Sequence, residues 1–235
     1  MIAALADIHS PRYLELFWSS LQGIKPELLL FAGDICEVWQ KEQYKVVLKL
    51  IERAGLSCPI IACWGNTEFE QDYEEIKSIC GDKINFLTDE SIVVKISGRQ
   101  IGIVGTKGCL DQPTSWQARN IHNIKEIYAK RVENIKSLLE KLDTEIKILL
   151  MHYAPTYKTL EGEQEYVYSM LGCKKFEQVI SETKPTLVVH GHAHNGIPLA
   201  FIDSIPVFNV SLPVNKKIVQ IDLDNLPKPG LMKFV

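Results

Sequence analysis

Three of the six histidines in this 235-residue chain lie within five residues, at His190, His192 and His194. Imidazoles bind divalent metals, and the run of β-branched residues and leucine at 186–189 predicts a buried strand that ends at this turn. In α/β proteins, loops at the ends of buried strands commonly carry ligands and catalytic groups. The cluster alone is equally consistent with a histidine-rich turn that caps the sheet, so its meaning depends on residues elsewhere.

Further candidate ligands follow four other predicted strands, the first three of them continuously apolar. These strands cover residues 2–6, 28–32, 60–64 and 146–151. The polar residues that follow them are Asp7 and His9, Asp34, Asn66 and Glu68, and His152. A lone aspartate usually makes a turn, and a lone histidine usually finds a local hydrogen bond. So many candidate ligands, each shortly after the end of a strand, favour one shared site. His190 is more typical of a buried structural histidine.

The types of donor suit two divalent ions. Carboxylates and imidazoles without a thiolate favour Mn²⁺, Fe or Zn²⁺, and a shared carboxylate can hold two ions about 3.5–4 Å apart. Asp7 and His9 are expected in extended chain, where alternate side chains reach one ion. His192 and His194 lie in a turn, so each could serve a different ion. Asn66 would add a neutral oxygen.

The order of these motifs is similar to that of the calcineurin-like metallophosphoesterase family. The shared pattern is Asp-x-His, Gly-Asp, Gly-Asn-x-Glu, His and Gly-His-x-His, and it extends from Asp7 to His194. The resemblance implies an α/β fold, a four-layer α/β/β/α sandwich of two mixed β-sheets flanked by helices. No repeat or linker divides the chain, so we expect a single domain over residues 1–235 with an irregular tail at 225–235.

The resemblance also implies a role for each ligand. The expected ligands are Asp7, His9 and His194 for the first ion, Asn66, His152 and His192 for the second, and Asp34 as the bridge between them. Asp34, Asn66 and His152 form the expected catalytic centre. The implied cofactors are two divalent metal ions, Mn²⁺ first, with Fe, Zn²⁺, Ni²⁺ and Co²⁺ as alternatives.

The reaction implied by the resemblance is hydrolysis of a phosphoester bond, a phosphodiester first, through attack of a metal-bridging hydroxide. The substrate would be a phosphate-ester small molecule or a nucleotide. Hydrolysis of a phosphomonoester or a pyrophosphate bond is an alternative. A non-catalytic metal-binding scaffold of the same fold is another, although a scaffold has no reason to keep all seven ligands.

One position departs from the family pattern. Many relatives have a histidine after the asparagine, where this chain has Thr67. A hydroxyl is a poor general acid because it lacks the near-neutral pKa of imidazole. Activity is therefore expected to favour good leaving groups unless another residue supplies the proton. Glu68 is expected to orient the ligands rather than to bind metal.

Residues that choose the substrate are expected in the loops. Trp116 could stack on a base, Arg119 could clamp a phosphate and His122 could supply the missing acid, but a solvated helix start explains all three as well. Trp39 could line the pocket or simply cover the sheet. One long helix is predicted from about residue 114 to residue 142, and another from Pro11 with Ser10 as its N-cap.

Composition excludes several classes of partner. The net charge of −3, from 26 basic and 29 acidic residues, indicates neither nucleic acid nor an anionic membrane, although a basic groove could hide within that average. The apolar runs are shorter than the roughly 20 residues that span a bilayer. The first residues lack a basic region typical of a signal peptide, so we expect a cytoplasmic protein. The six cysteines form no Cys-x-x-Cys pair and are expected to be reduced.

Overall fold

The computed structural model describes residues 1–230. The strands are β1 (Ile2–Leu5), β2 (Leu28–Ala32), β3 (Ile60–Cys63), β4 (Asn85–Leu87), β5 (Glu90–Ile96), β6 (Arg99–Thr106), β7 (Ile146–Met151), β8 (Leu187–His190), β9 (Leu199–Ile202), β10 (Ile205–Asn209) and β11 (Val219–Ile221). The α-helices are α1 (Leu14–Leu21), α2 (Gln43–Arg53), α3 (Tyr73–Cys80), α4 (Ser115–Asn120), α5 (Ile124–Lys141), α6 (Lys175–Thr183) and α7 (Leu212–Asn215).

The strands form two mixed sheets. The first has the order β11-β1-β2-β3-β4, in which β1 to β4 are parallel and β11 runs antiparallel to β1. The second has the order β5-β6-β7-β8-β10-β9, with a parallel centre and an antiparallel strand at each edge. Parallel strands joined through helices present all their carboxyl ends at one edge of the sheet, which is where the candidate ligands lie.

Alternate residues of each strand face opposite sides, and this alternation builds the layers. In β2, Leu28 and Leu30 pack between the two sheets against residues such as Ile148 of the second sheet. Leu29 and Phe31 face the other side, where α1, α2 and α3 cover the first sheet. Helices α5 and α6 cover the outer face of the second sheet. The expected four-layer α/β/β/α sandwich is therefore confirmed.

The predicted long helix is wrong, because two helices occupy its range. Thr114 caps α4, accepting a hydrogen bond from Gln117 N at 3.2 Å, while its own N–H donates to Gln117 Oε1 at 2.9 Å. Asn123 then takes a left-handed conformation, with φ at +54°, and α5 begins at Ile124. Asparagine tolerates this conformation better than most residues, so the chain can turn there.

The first predicted helix also begins later than expected. Ser10 does not cap it, because its backbone N–H donates to Ile35 O at 2.9 Å and its hydroxyl donates to Gln43 Oε1 at 2.9 Å. The residue therefore continues the pairing between the loops after β1 and β2, and α1 starts only at Leu14.

The end of the chain carries no regular element between residues 222 and 230. The remainder of the predicted irregular tail, residues 231–235, lies outside the described residues. Across residues 1–230, every helix is too short or too polar to cross a membrane.

Candidate metal centre

The loops after β1, β2, β7 and β8 meet at one edge of the two sheets and are joined by hydrogen bonds. Asp7 N donates to Gly33 O at 3.0 Å, and His9 N donates to Asp34 O at 3.0 Å. Across the interface between the sheets, His192 N donates to Asp7 Oδ2 at 2.9 Å. These bonds hold side chains from both sheets in one place.

The first group of ligand atoms belongs to Asp7, His9 and His194. Asp7 Oδ1 lies 3.4 Å from His194 Nε2 and 3.9 Å from His9 Nε2, and the two Nε2 atoms are 3.3 Å apart. Asp7 Oδ2 is occupied by the His192 N–H, whereas Oδ1 is buried and has no hydrogen-bond partner. The unpaired oxygen points at two imidazoles, as a shared ion would require.

The second group belongs to Asp34, His152 and His192, with Asn66 beside it. Asp34 Oδ2 lies 3.6 Å from His152 Nε2, and Asn66 Oδ1 lies 2.8 Å from the same nitrogen. Asp34 Oδ2 is also 3.7 Å from His9 Nε2 of the first group. A single carboxylate oxygen thus stands between both groups, which is the position that a bridging ligand needs.

The ligand atoms of the second group are better suited to binding a shared cation than to forming hydrogen bonds with one another. His152 Nδ1 lies 2.8 Å from the carbonyl oxygen of Ala32 and donates its proton there. The other ring nitrogen therefore presents a lone pair to Asp34 Oδ2 and Asn66 Oδ1. Three acceptors that face each other in a buried site repel unless a positive ion lies among them. The residues present therefore fit the two divalent ions that the sequence motifs imply.

The electrostatics of the centre support the same conclusion. Burial lowers the pKa of His152 to about 4 and that of His192 to about 3, so both imidazoles are neutral near pH 7 and free to bind metal. Burial, followed by the charge of Asp7, raises the pKa of Asp34. Burial also acts to raise the pKa of Asp7, but the adjacent His194 and the nearby His152 lower it overall. Carboxylates beside neutral imidazoles make a pocket that suits cations.

Four ligands have left-handed backbone, and for Asp7 and His9 this contradicts the predicted extended chain. The φ angles are +60° at Asp7, +42° at His9, +54° at Asp34 and +69° at His192. A left-handed conformation costs a residue other than glycine roughly 1–2 kcal/mol. Asp7 and His9 still converge, because a tight turn rather than strand alternation brings them together. Such strain is typical of functional sites, where surrounding contacts hold it in place.

Glu68 holds the ligand loops from beneath. Its buried carboxylate accepts hydrogen bonds from Asp34 N at 3.0 Å and Gly65 N at 2.8 Å through Oε2. Through Oε1 it accepts from Ile35 N at 2.8 Å and the Tyr44 hydroxyl at 3.0 Å. The side chain therefore ties the loop of Asp34 to the loop of Asn66 and is fully used in doing so.

Close approach of the same two loops requires glycine at two positions. A Cβ at Gly33, where φ is +85°, would lie 2.6 Å from Gly65 Cα and 2.8 Å from His152 Nδ1. A Cβ at Gly65 would overlap the Asp34 carboxylate. A side chain at either glycine would therefore displace a ligand.

Thr67 adjoins the centre, but its hydroxyl is already engaged. The Thr67 N–H donates to Asp34 Oδ1 at 2.8 Å, and the hydroxyl donates to the carbonyl of Cys36 at 2.8 Å. The backbone N–H of Thr67 thus orients Asp34, while its hydroxyl is used within the protein and is not directed to a substrate. Arg119 in α4 and His122 in the turn after it are both exposed, and Arg119 Nε donates to Ser115 O at 2.9 Å. Neither shares a hydrogen bond with the ligands.

Two residues near the ligands were not predicted from the sequence. The Tyr153 ring lies edge-on to His192, with centroids 4.8 Å apart, and its position directly after His152 was an available indication. Glu163 accepts hydrogen bonds from Asn195 N at 2.7 Å and Asn195 Nδ2 at 3.0 Å, which fixes the residue next to His194. No motif marks Glu163, because only tertiary packing brings its loop there.

Comparisons with known proteins agree with the geometry. None of the curated proteins is significantly similar to this chain. In fold, the chain resembles the phosphopantetheinyl hydrolase of Mycobacterium tuberculosis, with a TM-score of 0.68 and 17% identity over 96% of this chain and 98% of that one. It also resembles a putative 5'-nucleotidase of Staphylococcus aureus, with a TM-score of 0.54 and 14% identity over 88% of this chain and 48% of that one. At such identities the likeness shows the fold alone.

The family is shown by the sequence itself. A family model described as calcineurin-like phosphoesterase matches residues 1–196, a range that contains every ligand of both groups. The match extends from β1 through the His192 and His194 turn, and it includes all the strands whose ends carry the ligands, β1, β2, β3, β7 and β8. The chain therefore belongs to the calcineurin-like phosphoesterase family and is a metal-dependent phosphoesterase.

Proposed function

We propose that this chain hydrolyses a phosphodiester by means of two divalent ions, and that Mn²⁺ is the preferred metal. The observation that carries the proposal is the position of Asp34 Oδ2, 3.7 Å from His9 Nε2 and 3.6 Å from His152 Nε2. Asp7, His9 and His194 would hold one ion, Asn66, His152 and His192 the other, and Asp34 both. Such a pair of ions supplies an activated water and stabilises charge on phosphoryl oxygens.

The protein's own groups prepare the site for this reaction. Glu68 and Thr67 orient Asp34, and the Ala32 carbonyl fixes the tautomer of His152. Preorganised ligands of this kind need no rearrangement when charge develops on the substrate.

The charges around the centre support a diester over a monoester. Arg12 Nε pairs with Glu37 Oε1 at 3.0 Å, and Lys107 Nζ donates to the carbonyl of Glu68 at 3.2 Å. Both cations are thus engaged by the protein. A diester carries one negative charge whereas a monoester carries nearly two at neutral pH, so the diester makes a smaller demand on further cations.

Hydrolysis of chromogenic esters tests the proposal. The metal-stripped chain is expected to hydrolyse bis-p-nitrophenyl phosphate after addition of Mn²⁺, faster than it hydrolyses p-nitrophenyl phosphate, and to stop when a chelator is added. The release of p-nitrophenol measures both rates. Absence of turnover with Mn²⁺, Fe²⁺, Ni²⁺, Co²⁺ and Zn²⁺ would contradict the enzyme assignment. A faster monoester would contradict the diester assignment alone.

Replacing Thr67 with histidine is expected to help poor leaving groups selectively. The variant would place an imidazole beside the centre, and general acids contribute about 10²–10⁴-fold where protonation limits the rate. We expect a gain of roughly ten-fold or more for alkyl esters and little change for p-nitrophenyl esters, measured as kcat/KM. Thr67→Gln is the control, because glutamine is similar in size to histidine and has no titratable proton. Equal effects on both ester types would contradict the view that Thr67 leaves the site without a general acid.

A further inference from the structure

We propose that three neighbouring aromatic side chains, Trp39, Phe69 and Trp116, stack on the base of a nucleotide whose phosphate lies at the metal centre. We call these three residues the aromatic row. The inference deepens the proposed function and rests on it, because it names the substrate class of the same site. None of the three is a metal ligand.

The row is assembled from three separate segments of the chain. The ring centroids of Trp39 and Phe69 are 5.1 Å apart, and those of Phe69 and Trp116 are 5.7 Å apart. Trp39 is 70% exposed and Trp116 is 51% exposed, while Phe69 between them is half-buried. Large aromatic side chains that meet at the surface, rather than singly, commonly mark a binding site.

The three rings of the row are not stacked face to face on one another. Their planes are tilted by 43° and 35° to each other, so neighbours do not cover one another face to face. The buried stack below shows the opposite arrangement, in which Tyr73 and Phe86 cover Trp64 at centroid distances of 3.8 and 4.0 Å and a tilt of 6°. The members of the row therefore do not cover one another's ring faces, whereas the rings of the buried stack do.

Each segment of the row is also fixed to the metal centre. Phe69 follows Glu68, whose carboxylate bonds the Asp34 backbone. Trp39 lies in the loop that begins at Asp34, beside a cleft lined by Thr67 and Glu68. Trp116 adjoins Gln117, whose Nε2 donates to the Tyr153 hydroxyl at 3.0 Å, and the Tyr153 ring contacts His192. Sequence neighbours, hydrogen bonds and a shared cleft therefore connect the segments of the row to the centre.

Backbone strain at Trp39 points in the same direction. Its φ angle is +64°, a left-handed conformation that costs bulky residues roughly 1–2 kcal/mol. The conformation does not bury the indole, which stays mostly exposed. Trp39 therefore does not cover the sheet, and its strained backbone holds a large apolar ring in solvent beside Phe69, where a ligand can use it.

A nucleobase matches this surface better than a flexible aliphatic group does. A base is planar, and stacking on an aromatic side chain contributes about 1–3 kcal/mol per base without requiring particular hydrogen bonds. A nucleotide also joins its base to its phosphate through a single sugar. One molecule can therefore place phosphate among the ligands and base on the adjoining row.

Two phosphodiesters with the same leaving group test the inference. Thymidine 5'-(p-nitrophenyl phosphate) and methyl p-nitrophenyl phosphate differ only in the group that would reach the row. We expect the Mn²⁺-loaded chain to prefer the thymidine ester in kcat/KM, and Trp39→Ala or Trp116→Ala to lower that preference roughly ten-fold. Trp116→Phe keeps a ring and should restore most of it.

Tyr166→Ala is the matched control, because Tyr166 is an exposed aromatic residue, at 76%, outside the row. It should keep the preference of the original chain. The inference is overturned if that chain shows no preference, or if the row variants slow both esters by the same factor. The inference is also overturned if the row variants slow only the hydrolysis of an ester with a long aliphatic arm.

A binding measurement separates this inference from the proposed function. Calorimetry on the Mn²⁺-loaded chain should show tighter binding of adenosine 5'-monophosphate than of ribose 5-phosphate, and Phe69→Ala should remove the difference. If the unaltered chain hydrolyses neither ester but still binds adenosine 5'-monophosphate more tightly than ribose 5-phosphate, the proposed function is contradicted and the role of the row is supported. An active chain that binds both equally would contradict the row only.

Discussion

Replacing Asp34 with alanine is expected to lower Mn²⁺-dependent hydrolysis of bis-p-nitrophenyl phosphate by roughly a thousand-fold, equivalent to about 4 kcal/mol. The reason is the position of one oxygen, because Asp34 Oδ2 faces His9 of the first group and His152 of the second. Without this carboxylate, neither group keeps the oxygen that joins it to the other. Titration with Mn²⁺ should then find fewer than the two ions per chain expected for the unaltered protein.

Two further variants separate chemistry from folding. Asp34→Asn keeps the side-chain shape and an acceptor for the Thr67 N–H, but it loses the charge, so we expect it to be folded and nearly inactive. Asp143→Ala removes an exposed carboxylate before β7 and should be fully active. Retention of more than a tenth of the activity in Asp34→Ala would contradict the bridging assignment.

The edge of the sheet that carries the centre was predictable, because the strands before it are simple to recognise. Residues 28–32 form a continuous apolar run and residues 146–151 an apolar run interrupted only by Lys147, and β2 and β7 have those bounds in the structure. A strand buried on both faces needs such a run, and a polar residue can follow only where the strand leaves the core. The position of Asp34 and His152 relative to the sheet follows from that alternation of apolar run and polar end.

The local backbone was not predictable in the same way. Asp7 and His9 were expected to alternate in extended chain, yet both have positive φ angles. Only tertiary bonds, such as His9 N to Asp34 O, hold that conformation against its intrinsic cost. The break at Asn123 is similar, because the apolar stripe continues through it and only the observed φ angle of +54° reveals the turn.

Contacts between distant segments were the least accessible from sequence. Trp39, Phe69 and Trp116 are separated by at least 30 positions, and no periodic pattern relates them. The same holds for Glu163 and Asn195, which meet because one loop packs on another. Motif spacing reveals ligands that follow strands, whereas substrate-binding residues depend on how loops pack over those strands.

Replacing Glu68 with alanine is expected to lower the free energy of unfolding by at least about 3 kcal/mol, because three backbone N–H groups lose their acceptor and each buried orphan costs about 1–3 kcal/mol. Those donors belong to Asp34, Ile35 and Gly65. Since the stability of a domain is only about 5–15 kcal/mol, the loss should be plain in chemical denaturation. Metal affinity should fall about 10–100-fold, because the ligand loops are no longer joined.

Tyr44→Phe is the matched control for Glu68. It removes only the hydroxyl donor to Oε1 and keeps the carboxylate and its three backbone bonds. We therefore expect a loss of about 1 kcal/mol and Mn²⁺ affinity within a few-fold of the unaltered chain. If Glu68→Ala were no less stable than Tyr44→Phe, the backbone bonds would not be what joins the loops. If it were less stable but bound Mn²⁺ equally well, Glu68 would support the fold without positioning Asp34.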